Sequence, residues 1–184
     1  AIRPHDYLTW IMEVFPILIG AFVLVTTYRR FPLTRLLYRL LFIHALILMV
    51  GGHYTYARVP IGLWAQNVFG LSRNHYDRLG HFAQGFIPAI LAREILIRRS
   101  PLDRGKWLFF LVTCVCLAFS AFFELFEWGY AVVVGGDAAN DFLGSQGDVW
   151  DAQWDMLFAL IGAVTSQLVL AKVHDRSISD LAHT

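Results

Sequence analysis

The sequence predicts an all-α integral membrane protein, a single transmembrane domain over residues 1–184. Its expected form is a bundle of about five transmembrane helices with a short interfacial helix between the second and third. Three observations lead there. Hydrophobic residues make up 57% of the chain and charged residues only 16%, against about 25% in soluble domains. The mean hydropathy of +0.54 marks more apolar surface than a soluble core of this size can bury. The apolar residues also gather into long stretches, each near the ~20 residues that cross a bilayer.

The first span, residues 8–28, carries Glu13 as its one charged group and holds Pro16, a kink site. Arg29, Arg30, Arg35 and Arg39 flank the following turn at Pro32. The second span, 36–54, is interrupted by His44 and closed by Gly51-Gly52-His53. Residues 55–74, with Pro60, Gly62 and Trp64, read as a loop with a short helix at the headgroup level. The third span, 76–97, contains Pro88 and ends among Arg98, Arg99, Arg104 and Lys106, around the turn at Ser100-Pro101. The fourth span covers 107–134. A Gly-rich acidic segment from Gly135 to Gly147, with Asp137 and Asp141, leads to the fifth, 148–173, and a polar tail marked by Lys172 and Arg176.

Arginine crowds the turns after spans one and three, and acid follows span four. The positive-inside rule then places the N-terminus outside and the C-terminus in the cytoplasm of a bacterial inner membrane. Arg58 and Arg73 in the second loop are the exceptions. The chain opens at Ala1 without a methionine, so further residues are expected ahead of it, and no cleavable signal peptide is recognisable. Cys114 and Cys116 point about 200° apart on a helix and read as small packing residues. With a net charge of +1 and no basic run carrying aromatics, nucleic acid is not an expected partner. Membrane lipids are expected partners, and homo-oligomerisation stays open.

Three polar stripes interrupt the apolar pattern. Asp77, His81 and Gln84 stand at i, i+4 and i+7, as Ser120, Glu124 and Glu127 do; Asp148, Asp151 and Asp155 follow a similar spacing. On the predicted topology they reach one depth near the outer face. Glu124 lies about 25 Å along its span from Trp107, near the far side; Asp155 lies about 10 Å in from Asp148 and His81 about 9 Å in from His75, from that same side. Each lone charge near the bilayer centre costs on the order of 2.5–3.5 kcal/mol, so such acids must be paired, protonated or bound to a cation. Arg73 and Arg78 are too few to balance them. A divalent metal ion would supply the missing charge; zinc, manganese or iron suits oxygen ligands with imidazole. The expected ligands are Asp77, His81, Glu124, Asp151 and Asp155, with Glu127 as general base and Arg78 as an anion clamp.

Simpler roles compete at single positions. Asp77 suits the start of a helix, Glu124 and Glu127 an ion pair with Arg78 or Arg73, and Asp148 an N-cap. His44 reads as a hydrogen-bonded packing group, His53 as either a ligand or an interface anchor. His5, His174 and His183 read as solvated.

His75-Tyr76-Asp77-Arg78-Leu79-Gly80-His81-Phe82-Ala83-Gln84-Gly85, Phe123-Glu124-Leu125-Phe126-Glu127-Trp128 and Gly147-Asp148-Val149-Trp150-Asp151-Ala152-Gln153-Trp154-Asp155-Met156 together resemble the YjdF-like family of predicted bacterial inner-membrane proteins. The likeness spans most of residues 36–172 and implies a location rather than a chemistry. A more distant likeness is to VanZ-like proteins, whose pattern matches Asp77-Arg78, His81-Phe82, Glu124 or Glu127, and Asp155 with Gly162. Ala159 stands where that pattern usually has asparagine. This likeness implies a related helical arrangement and action near lipid or envelope substrates.

The leading expectation is a metal-dependent hydrolase of a lipid or phosphoester. The alternatives are an ion or proton transporter and a non-catalytic protein that binds lipid headgroups. The sequence has no His-Glu-x-x-His, Gly-x-Ser-x-Gly or P-loop motif, and no Glu-x-x-His repeat.

Overall fold

The computed structural model describes residues 2–135 and 145–182, and the regular structure among them is helical throughout. Helix α1 (Tyr7–Thr27) opens at Asp6, whose carboxylate accepts the Thr9 N–H at 2.7 Å. Helix α2 (Arg35–Tyr54) opens at Thr34, whose hydroxyl accepts the Leu37 N–H, and stops where Thr55 turns left-handed at φ 57°. The short α3 (Pro60–Phe69) begins with proline, which has no N–H to leave unpaired, and ends at Gly70. Three long helices follow: α4 (Tyr76–Arg99), α5 (Lys106–Val134) and α6 (Asp151–Ala182).

Helices α1, α2, α5 and α6 are each long and apolar enough to cross a membrane. The 24-residue α4 is long enough but too polar to join them, and its position explains why. It packs against α6, α5 and α2, whereas α1 packs on α2. Eleven α4 residues are buried, among them Asp77, His81, Arg93 and Glu94. A helix surrounded by protein need not present an apolar face to lipid, so its side chains are free to be polar wherever a partner meets them.

Close approach of α4 and α6 rests on small residues. A Cβ on Gly85 would overlap the Ala159 carbonyl, and one on Gly162 would overlap that of Phe82. The two helices run parallel, with Gly85 beside Ala159 near one end and Arg93 beside His174 near the other. Ala89, Leu108, Val112, Cys116 and Ala163 fill the seam where α4, α5 and α6 meet. Leu37 and Ile90 bury completely between α2 and α4, each contributing about 1.5–3 kcal/mol.

Three differences from the sequence reading stand out. The segment expected to be a polar tail is the last part of α6, which stays helical through Ala182 because its polar residues meet α4. Helix α6 begins at Asp151 rather than 148, and Asp148 turns the chain ahead of it, its carboxylate accepting the Trp150 N–H at 3.0 Å. Asp137 and Asp141 lie outside the described residues.

Candidate functional site

The site starts with the residue that fixes where α4 begins. Asn74 is fully buried. Its side-chain nitrogen donates to the Ala57 and Val59 carbonyls, and its side-chain oxygen accepts the Tyr76 N–H. Gln146 bonds both the N–H and the carbonyl of Asn74, tying the segment before α6 to the start of α4. The Tyr76 hydroxyl donates to the Ile47 carbonyl on α2. This lattice holds Asp77 and His81, one turn apart, against α6.

Three helices then converge. His81 Nε2 lies 3.6 Å from Asp77 Oδ1 and 3.9 Å from Asp155 Oδ2, and Nδ1 lies 3.6 Å from Glu124 Oε1. One ligand atom each from Asp77, His81 and Asp155 falls within 4.8 Å of the others. These contacts are too long for hydrogen bonds. His81 Nδ1, Glu124 Oε1, Asp155 Oδ1 and the Ser120 hydroxyl are buried with no hydrogen-bond partner among the described residues. Buried polar atoms without partners are rare, and three of these, on His81, Glu124 and Asp155, gather around one imidazole and call for a ligand.

The arginines serve the rim. Arg73 pairs with Asp151 and lies 3.7 Å from both Asp77 and Asp148. Arg78 bonds Asp148 Oδ2 at 2.8 Å, with its guanidinium 5.4 Å from the centre of the Trp154 ring. At the mouth, burial and the nearby arginines hold His75 below the ordinary histidine range.

The structure adds Glu13 to this group. Gly52 admits it: a Cβ there would stand 2.8 Å from the Glu13 Cβ. Glu13 is buried within electrostatic reach of Asp77 and Tyr56, and Glu127 within reach of Glu13, Glu124, Asp77 and Asp155. Three carboxylates, from Asp77, Glu124 and Asp155, thus stand within 3.9 Å of the His81 ring, and Glu13 and Glu127 lie within electrostatic reach of that group. The signal for Glu13 was plain in the sequence: a single acid in a long apolar span.

Other histidines fall elsewhere. His44 is half-buried, and its Nε2, expected to be hydrogen-bonded, has no partner among the described residues. His53 stacks edge-on with Tyr54, and its carbonyl accepts the His5 N–H. His174 is completely buried rather than solvated. Its Nε2 lies 3.0 Å from Glu94 Oε2 and its Nδ1 2.9 Å from Arg93 Nη1. Glu94 also accepts bonds from the Thr34 N–H, the Thr34 hydroxyl and Arg98. In this second cluster, at the other end of α4, both oxygens of Glu94 and both ring nitrogens of His174 have partners, whereas the acid cluster holds atoms without one.

Long apolar helices around a polar central helix, with unmatched acids gathered at one end, define a polytopic helical membrane protein. Comparison with known families agrees. The chain belongs to the family described as predicted membrane protein (DUF2238), whose model matches residues 1–176. It is 55% identical over 177 residues to Inner membrane protein YjdF of Escherichia coli (strain K12), covering 96% of this chain and 84% of that protein. No solved structure matches.

Proposed function

We propose that this is an inner-membrane protein of five spans, with the N-terminus outside and α3 lying along the outer interface. Its outward site holds a divalent cation, zinc, manganese or iron, and uses it to hydrolyse a phosphoester-bearing lipid. Helix α4 serves as the fifth span: its 24 residues reach about 36 Å, and its polar groups face neighbouring helices. Exposed Ile61, Trp64, Val68 and Phe69 suit α3 to the headgroup region.

The observation that carries the cation is the set of buried, partnerless atoms at His81, Glu124 and Asp155 amid five carboxylates. Ligands at about 2.1 Å from a metal stand about 3.4 Å apart, so roughly 1 Å of closure brings Asp77, His81 Nε2 and Asp155 onto an ion. Glu124 then takes the Nδ1–H of His81 and fixes the ring, the usual second partner of a metal-bound imidazole. Asp151 stays behind, held by Arg73. An ion held by Asp77, His81 and Asp155 would have a coordination position left for water and would supply its acidification. In this reading Glu127, within electrostatic reach of Asp77 and Asp155, would accept the proton of that water, and Arg78 at the rim would meet a phosphate oxygen.

A transmembrane ion or proton path has less support. From Asp155 to His174, about 28 Å along α6, the buried positions include Ala159, Ala163, Ser166 and Gln167 but no acid. Elemental analysis of the purified protein tests the cation. The proposal expects one divalent ion per chain, lost in His81→Ala and Asp155→Ala and kept in His44→Ala; wild type without stoichiometric metal defeats it. Turnover of a phospholipid panel by wild type but not by Glu127→Gln separates an enzyme from a binding protein.

A further inference from the structure

At the arginine-rich end, far from the acid cluster, α4, α5 and α6 form a half-open pocket of about 190 Å³ lined by Arg93, Arg104, Gly105, Leu108 and Gln167. Its charges do not cancel. Arg93 Nη1 lies 2.9 Å from Asp175 Oδ1, and Arg104 Nε lies 3.0 Å from the same oxygen, so two guanidiniums share one carboxylate. Arg93 is 95% buried by its 5% exposure, and its contacts with His174 and Asp175 both run through Nη1, which leaves its other N–H groups available at the wall. Burying a guanidinium with unused donors beside a cavity is costly unless something accepts from them.

The backbone adds donors at the same wall. Gly105 opens α5 without a side-chain cap, and the first helical bond is from the Phe109 N–H to the Gly105 carbonyl. The Lys106, Trp107 and Leu108 amides therefore lack an intrahelical acceptor beside two arginines. Trp107, 70% exposed and next to Lys106, sets the cavity at headgroup depth.

We propose that this cavity binds a phosphate group, carried by an anionic phospholipid headgroup or free as inorganic phosphate. Arg93 and Arg104 supply the charge and the start of α5 the amide donors. The proposal is independent of the cation site. Native mass spectrometry of the full chain in mixed phosphatidylglycerol–phosphatidylcholine micelles tests it, together with calorimetric titration of inorganic phosphate. Wild type should retain phosphatidylglycerol, or bind phosphate, about tenfold better than Arg104→Gln, the loss expected for one charge-assisted contact. Arg104 is half exposed, so this variant should fold even if Arg93→Lys does not. Lipid preference without phosphate binding identifies the headgroup as the source; phosphate binding without lipid preference identifies the free ion. Equal retention of the two lipids with no phosphate binding, or selectivity unchanged in Arg104→Gln, overturns the proposal.

Discussion

Glu94→Gln should destabilise the protein far more than its near-isosteric shape suggests. Glu94 is completely buried, and all its neighbours are donors. Oε1 accepts the Thr34 N–H at 3.0 Å and Arg98 Nη1 at 2.7 Å; Oε2 accepts the Thr34 hydroxyl at 2.7 Å and faces His174 Nε2 at 3.0 Å. A guanidinium can only donate, so Arg93 makes His174 Nδ1 an acceptor and leaves the ring proton on Nε2, pointing at Glu94. A carboxamide has one acceptor oxygen, and in either orientation its NH₂ meets donors. Only the threonine hydroxyl can turn away. Breaking a buried ionic network this way costs about 3–5 kcal/mol. At ~2–4 °C per kcal/mol for a chain of this size, the melting temperature should fall by roughly 6–20 °C. Fluorescence-detected gel filtration in detergent with a chelator measures it. Glu127→Gln is the matched control: it takes one ionisable acid out of a crowd of acids, so the chelated protein should melt at or above the wild-type temperature. A Glu94→Gln protein within ~2 °C of wild type, or a Glu127→Gln protein that loses as much as Glu94→Gln, would refute the assignment of one cluster as satisfied and the other as frustrated.

Glu124→Gln should keep the fold but weaken cation binding about 10–100-fold, read by competition with a metallochromic dye. Gly85→Leu should cost about 1–3 kcal/mol or more by forcing α4 off the Ala159 carbonyl, and should lose the cation with it; Gly20→Leu, with open space around that glycine, should do neither. Asp6→Ala should lose about 1 kcal/mol of capping at α1, seen as faster hydrogen exchange of the Thr9 amide. The Thr9 N–H holds the Asp6 carboxyl below its ordinary 3.8, so the unfolded state binds that proton more tightly. The cap is therefore fully present above about pH 4 and is lost as pH falls through the lower folded-state value, so Thr9 protection should drop there in wild type and stay flat in Asp6→Ala.

Legibility in the sequence followed what each residue faces. Lipid-facing helices announce themselves, because an apolar face against lipid leaves a run such as residues 8–28 with one charge. The spacing of Asp77 with His81 and of Asp151 with Asp155 was equally visible, since one helical turn puts them on one face. The closeness of those faces was hidden, because it depends on Gly85 and Gly162 meeting carbonyls on another helix, and nothing local says which glycine does so. His174 failed for the same reason. Beside Lys172, Asp175 and Arg176 it reads as a solvated end until Arg93 and Glu94 are placed opposite it. Glu13 needed Gly52 as well, and a pairing across two helices leaves no periodic trace.

The burial of α4 also sets an order for biosynthesis. The nascent chain delivers α4 to the insertion machinery before α6 exists, so His81 and Arg93 arrive without Asp155 and His174. By itself α4 is a poor candidate for stable partitioning into lipid, given its charges. On the five-span reading proposed above, its polar side chains gain these partners only once α6 emerges and packs along it. The two polar clusters are thus also the latch that commits α6 to the bundle.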